Sequence, residues 1–155
     1  MTSPTICTEY AFTARVAVAA PQIIGADAEG LRRYVPIIGG TVDGPLMKGE
    51  VLAGGGDSQL VRADGVVELE ARYRLRTVDG VEVAVLNRGL RHGSADVMAR
   101  LAQGQRVSPD EYYSRTTPRF EAPSGSPYEW LNKTVFVASA DRLADLVVVH
   151  FHRVL

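Results

Sequence analysis

Residues 5 to 18 read TICTEYAFTARVAV, and the side chains change character at every second position. Ile6, Tyr10, Phe12, Ala14, Val16 and Val18 are mainly apolar, with Glu9, Thr13 and Arg15 between them. Successive side chains of an extended chain point to opposite faces, so this spacing predicts a long, half-buried strand. Period-2 alternation continues through most of the chain. RRYVPIIGGTVDGPLMKGEVLAGGG is a series of short strands broken at Gly39-Gly40 and Gly44-Pro45, where glycine and proline exclude a helix. Strands return in YEWLNKTVFVA and LVVVHFHRVL.

Two Asp-Gly pairs, Asp64-Gly65 and Asp79-Gly80, lie between strand-like runs and predict a three-stranded meander over residues 57 to 88. One helix interrupts the sheet. In SADVMARLAQG, Ser94 is the N-cap, Val97, Met98 and Leu101 share a side, and Gly104 is the stop. A short turn begins at Ser108-Pro109-Asp110. The expected fold is all-β: an antiparallel β-barrel with one short helix at an end, with a β-sandwich as the alternative. A barrel is favoured because no long edge is protected by proline or lysine.

At 155 residues the chain has the size of one domain, residues 1–155. Its net charge of −1 and the lack of a basic run give no electrostatic case for nucleic acid or a membrane surface. Cys7 is the sole cysteine, which excludes a disulfide framework and a thiolate metal site. MTSPTICTEY lacks the basic start and apolar core of a signal peptide, so a cytoplasmic setting is expected. Composition is equally compatible with a monomer and a homo-oligomer.

The triplet Gly54-Gly55-Gly56 before Asp57 has the look of a phosphate cradle. Such a loop must lead into a helix N-terminus, and here it leads into a strand, with no following lysine-Ser/Thr pair. The glycines are better read as a bulge or sharp corner in a curved sheet. Taking each Asp-Gly as a two-residue loop sets Gln59 opposite Glu70, Asp57 opposite Arg72, and Arg72 opposite Asn87. On that register Asp57, Gln59, Glu70, Arg72 and Asn87 share one face with Val83 and Val85. Leu60, Leu69, Ala71, Tyr73, Leu75, Ala84 and Leu86 form the other. A polar face of this kind is ordinarily the solvated one, but amides mixed with charges and valines also suit a ligand pocket.

Other candidates are weaker. His150 and His152 lie on one side of the last strand as half of a metal site, with His92 far off in NRGLRHG, so no metal is expected. Tyr112, Tyr113, Arg115 and Arg119 in EYYSRTTPRFE suit either anion binding or a helical lid packed on the barrel end. Trp130 and Asn132 are read as two apart on one strand.

YVPIIGGTVDGP, GEVLAGGGD, ARYRLRTVDG, NRGLRHG, EYYSRTTPRFE and YEWLNKTVFVA, in this order, resemble the bacterial and fungal family catalogued as domain of unknown function 3237, also an uncharacterised protein family numbered 0311. The resemblance implies a small, cofactor-free β-barrel, with Asp57, Asn87, Arg119, Trp130 and Asn132 as site or scaffold positions. It also implies a tryptophan directly after the Gly-Gly-Asp, where this chain has Ser58. On the assumed register that change opens space on the apolar face.

The functional expectation is a cofactor-free isomerase, cyclase or hydro-lyase acting on a small organic substrate by acid–base chemistry. Glu70 or Asp57 is the expected general base, Arg72 holds a carboxylate or developing enolate, and Asn87 donates to the same oxygen. Gln59, Tyr73, Tyr113, Arg119, Trp130 and Asn132 are the expected substrate contacts. The alternative is a lipocalin-like barrel that binds a small molecule without changing it.

Overall fold

A computed structural model describes residues 4–155, so the first three residues of MTSPTICTEY lie outside it. Ten strands and one helix follow in order: β1 (Thr8–Val18), β2 (Gln22–Asp27), β3 (Gly30–Asp43), β4 (Gly49–Val51), β5 (Gly56–Arg62), β6 (Val67–Thr77), β7 (Glu82–Gly93), α1 (Ala95–Ala102), β8 (Tyr112–Glu121), β9 (Phe136–Arg142) and β10 (Leu146–Val154). Every pairing between them is antiparallel. β4 and β5 both lie between β3 and β6, and so act as one strand interrupted at residues 52–55. Around the circle run β1, β10, β9, β8, β7, β6, β4/β5 and β3, and β3 pairs with β1 to close it. The result is a closed eight-stranded barrel, in which no barrel strand is left with an unpaired edge. β2 continues the direction of β1 and extends the β3 hairpin beyond the wall.

The interior divides into two halves. Phe12, Phe120, Phe136 and Phe151 fill one half; Phe120 lies 4.8 Å, centroid to centroid, from Phe136 and 5.4 Å from Phe151. Leu131 and Leu75 complete this plug and are fully buried. Farther along the same strands the inward residues become small or polar: Ala71, Asn87, Thr116 and Ala140. That half is hollow. Near it, α1 packs Val97 and Leu101 against Val107 and Tyr112 as a separate small cluster. Ser94 caps α1 through Val97 N–H, as its sequence predicts.

Two features of the register depart from expectation. The Asp-Gly turns are three-residue loops, not two-residue ones: Arg62 N–H donates to Val66 C=O and Thr77 N–H to Val81 C=O. Within these loops only Gly65 and Gly80 have positive φ, each at 86°, whereas a two-residue loop of the expected kind needs it at the aspartates too. The extra residue shifts both pairings by one, so Asp57 lies opposite Ala71, Ser58 opposite Glu70, and Asn87 opposite Ala71. A slip of one residue in either partner reverses its facing. The expected five-residue face is therefore split: Asp57, Gln59 and Asn87 are inside, Glu70 and Arg72 outside. Ser58 is also outside and exposed, so it opens no interior space.

The glycine run is a bulge, as the sequence implies. Gly54 adopts φ 107°, and a side chain on Gly55 would lie 2.5 Å from the carbonyl oxygen of Arg72.

Candidate functional site

Asp57 stands on β5 just past the glycine bulge, facing the hollow half. One carboxylate oxygen accepts from Gln59 Nε2 at 2.8 Å and the other from the Glu70 backbone N–H at 2.9 Å. Gln59 in turn accepts from Arg33 Nη2 at 2.8 Å, which fixes its amide orientation. Burial pushes the Asp57 carboxyl up from its ordinary value; the two hydrogen bonds and the charges of Arg91 and Arg142 act in the opposite direction and do not cancel it. Its protonated and ionised forms are thus brought closer in free energy at neutral pH, as a group that exchanges protons requires.

Around it lies a cavity of about 60 Å³ walled by Val16, Val35, Ile37 and Val149. Four polar atoms of the cavity lining are buried without a hydrogen-bond partner: Tyr73 Oη, Asn87 Oδ1, Thr116 Oγ1 and Arg91 Nε. Leaving such a group unpaired costs roughly 1–3 kcal/mol each. Four in one small apolar hollow are a cost that folding alone does not repay, and a bound polar molecule would satisfy them. Burial also raises the Tyr73 phenol, with Asp57 adding to the shift, so this hydroxyl stays protonated and remains a donor.

Outward from the cavity, a wider mouth of about 400 Å³ opens between the barrel rim and α1. Gln59, Arg91 and Arg142 line both spaces, and Arg33 lines the mouth. Arg91 is 8% exposed, and burial pulls its guanidinium down to about 10. Arg33 and Arg142 are half-buried, and burial lowers both.

The remaining expected site residues lie elsewhere. Glu70 and Arg72 form an outer-wall ion pair at 3.1 Å, and Glu70 also accepts from Arg88 at 3.1 Å. Arg88, then Arg72, hold the Glu70 carboxyl below its ordinary value, which makes it a poor base. Residues 112 to 121 are a strand, not a lid, and alternate strictly between buried and exposed. Tyr113 and Arg119 take the exposed positions; Tyr113 stacks on His92 with centroids 4.9 Å apart. Trp130 and Asn132 lie in a 3₁₀ turn, Glu129–Lys133, rather than on a strand. There Asn132 accepts from Ala122 N–H at 2.7 Å and donates to Ala122 C=O at 2.9 Å, so its amide replaces a backbone partner. Trp130 packs on Phe136 beneath the Arg153 guanidinium. Both are scaffold. His150 bonds Thr13 at 2.9 Å, and among the described residues no group of three potential metal ligands gathers around it or elsewhere. No helix among them is long and apolar enough to cross a membrane.

Arg33, Arg91, Thr116 and Arg142 belong to the site and escaped the sequence reading. Arg91 had a signal: it follows Asn87 by four residues on one strand and so shares its face. Arg142 had none, since β9 reaches the mouth only through barrel closure.

Together these features define a small closed antiparallel β-barrel with a buried acid–amide–phenol pocket in one half of its interior. The chain belongs to the family described as "Protein of unknown function (DUF3237)", which matches residues 6–154. It is 42% identical over 154 residues to the UPF0311 protein RPA1785 of Rhodopseudomonas palustris, covering 99% of each chain. The crystal structure of that conserved protein of unknown function superposes with a TM-score of 0.94, covering 99% of this chain and 100% of that one. A β-barrel-like protein of Acinetobacter baumannii, 38% identical and covering 99% of each chain, gives a TM-score of 0.85. An enzyme from Penicillium herquei shares the fold at 19% identity, with a TM-score of 0.74 and coverage of 100% of this chain and 99% of that one.

Proposed function

We propose that this protein is a cofactor-free enzyme that moves a proton within a small organic substrate, as an isomerase, cyclase or hydro-lyase does, and that the reaction takes place inside the barrel. The observation that carries this reading is Asp57: a half-buried carboxyl of raised pKa, surrounded by buried polar atoms that have no partner in the protein. Asp57 takes a proton from the substrate and returns it at a second position. Tyr73 Oη donates to the oxygen on which negative charge develops, and Asn87 orients the substrate from the neighbouring strand. The Penicillium herquei protein of this fold is an enzyme, which agrees with a catalytic use of the barrel. A lipocalin-like carrier is disfavoured by the Asp57 carboxyl itself, an enclosed ionisable group near Arg91 and Arg142 that passive binding of a small molecule does not need.

Acid–base chemistry of this kind shows itself as hydrogen exchange before any product is known. Small carbonyl compounds incubated with the protein in D2O, followed by proton NMR, should lose signal at carbon next to the carbonyl. Asp57→Asn should slow that loss by about 10²-fold or more while circular dichroism stays unchanged. Exchange that persists in Asp57→Asn would remove the acid–base role.

A further inference from the structure

The three arginines of the mouth have no counterpart in the reaction just described. Arg33, Arg91 and Arg142 come from β3, β7 and β9, three strands that only barrel closure brings to one rim. Among the described residues none of them forms an ion pair within 4 Å with a carboxylate. Arg91 is buried with an unpartnered Nε, and Arg33 has a buried, unpartnered Nε as well. Their charges oppose one another: Arg142 and Arg33 both act to lower Arg91, and Arg33 acts to lower Arg142. Asp57 is the one inward carboxylate they share, and Asp145, exposed beyond β9, acts on Arg142 more weakly than Asp57 does. Three guanidinium groups facing one carboxylate in a half-dry funnel leave uncompensated positive charge, which is expensive without an anion.

We infer that the arginine collar binds the carboxylate of an organic acid, holding it at the mouth while the rest of the molecule reaches inward past Asp57. The inference rests on the interior reading of the reaction site and names its substrate class. A carboxylate fits better than a phosphate. Arginine forks match its two oxygens, and its single charge suits a mouth to which α1 presents its C-terminal half, Leu101 to Gln103, rather than its N-terminus. The inward cavity admits only a short or slender body.

The test is calorimetry of the full chain at low ionic strength, with sodium isobutyrate and benzoate as probes. Isobutyramide, benzamide and inorganic phosphate serve as comparators. The acids should bind about tenfold or more tightly than their amides. Arg142→Met should weaken the acids about tenfold. Arg72→Met, on the outer wall, should leave affinity unchanged. Asp57→Asn should tighten it, because a negative charge leaves the funnel. If Arg142→Met fails to fold, Arg33→Met carries the same expectation. Amides binding as well as acids, phosphate binding more tightly than either acid, or acids showing no affinity up to about 10 mM would each overturn the collar. The two readings fail separately. Acid binding without Asp57-dependent exchange rejects the catalysis alone, and Asp57-dependent exchange without preference for acids rejects the collar alone.

Discussion

Tyr73 is the residue where structure and function part most clearly. Its hydroxyl is buried and has no hydrogen-bond partner in the protein, so removing it should help folding. Tyr73→Phe is expected to raise stability by roughly 1 kcal/mol, read from urea unfolding, while lowering the exchange rate. A scaffold tyrosine would show the reverse. Asp57 makes a second prediction, in pH. A folded-state carboxyl pKa raised by burial contributes stability only at low pH, and that contribution is lost as pH rises through the raised value. Asp57→Asn should therefore unfold at higher temperature than the parent at neutral pH, with the difference closing as pH falls into the acid range. Scanning calorimetry across pH reads this directly. On the outer wall, Glu70→Gln should shift stability by well under 1 kcal/mol and leave exchange intact, because its partners Arg72 and Arg88 are exposed.

Individual elements were legible in the chain to very different degrees. β1 announces itself by alternation, although a bulge between Tyr10 and Phe12 buries Ala11 beside Phe12 and leaves Tyr10 half out. The helix and its caps are local chemistry and could be read in full. The meander was legible as three strands, but not its register, since the same Asp-Gly pair serves a two-residue and a three-residue loop. That one residue decided which carboxylate faces inward. The stretch from Glu129 to Lys133 was misread because a 3₁₀ turn pinned by the Asn132 amide leaves no period in the sequence. At this scale the glycine bulge is the sharpest test. Gly55→Ala should cost roughly 1–3 kcal/mol, since the new methyl would meet the Arg72 carbonyl and the Tyr73 backbone. Equilibrium denaturation measures it.

The barrel as a whole separates stability from chemistry along its axis. Four phenylalanines and their neighbours fill one half, and this packing leaves the other half free to carry unpaired polar groups. Marginal stability elsewhere in a small domain would not tolerate them. Closure completes the assembly: Arg33, Asp57, Tyr73, Asn87 and Arg91 come from the adjacent strands β3, β5, β6 and β7, and Arg142 on β9 comes to face Arg33 and Asp57 across the closed circle. Local pattern therefore showed that this was a β-barrel, whereas the membership of its pocket waited on three-dimensional register. The whole account turns on one carboxyl being enclosed by the barrel rather than solvated. Carbon-detected NMR titration of the Asp57 side chain, in protein labelled at its carboxyl carbons, measures this without any substrate. The account requires a midpoint above the ordinary aspartate value of 3.8. A midpoint at or below that value, as for the exposed Asp64, which its Arg62 partner holds at about 2, would contradict it.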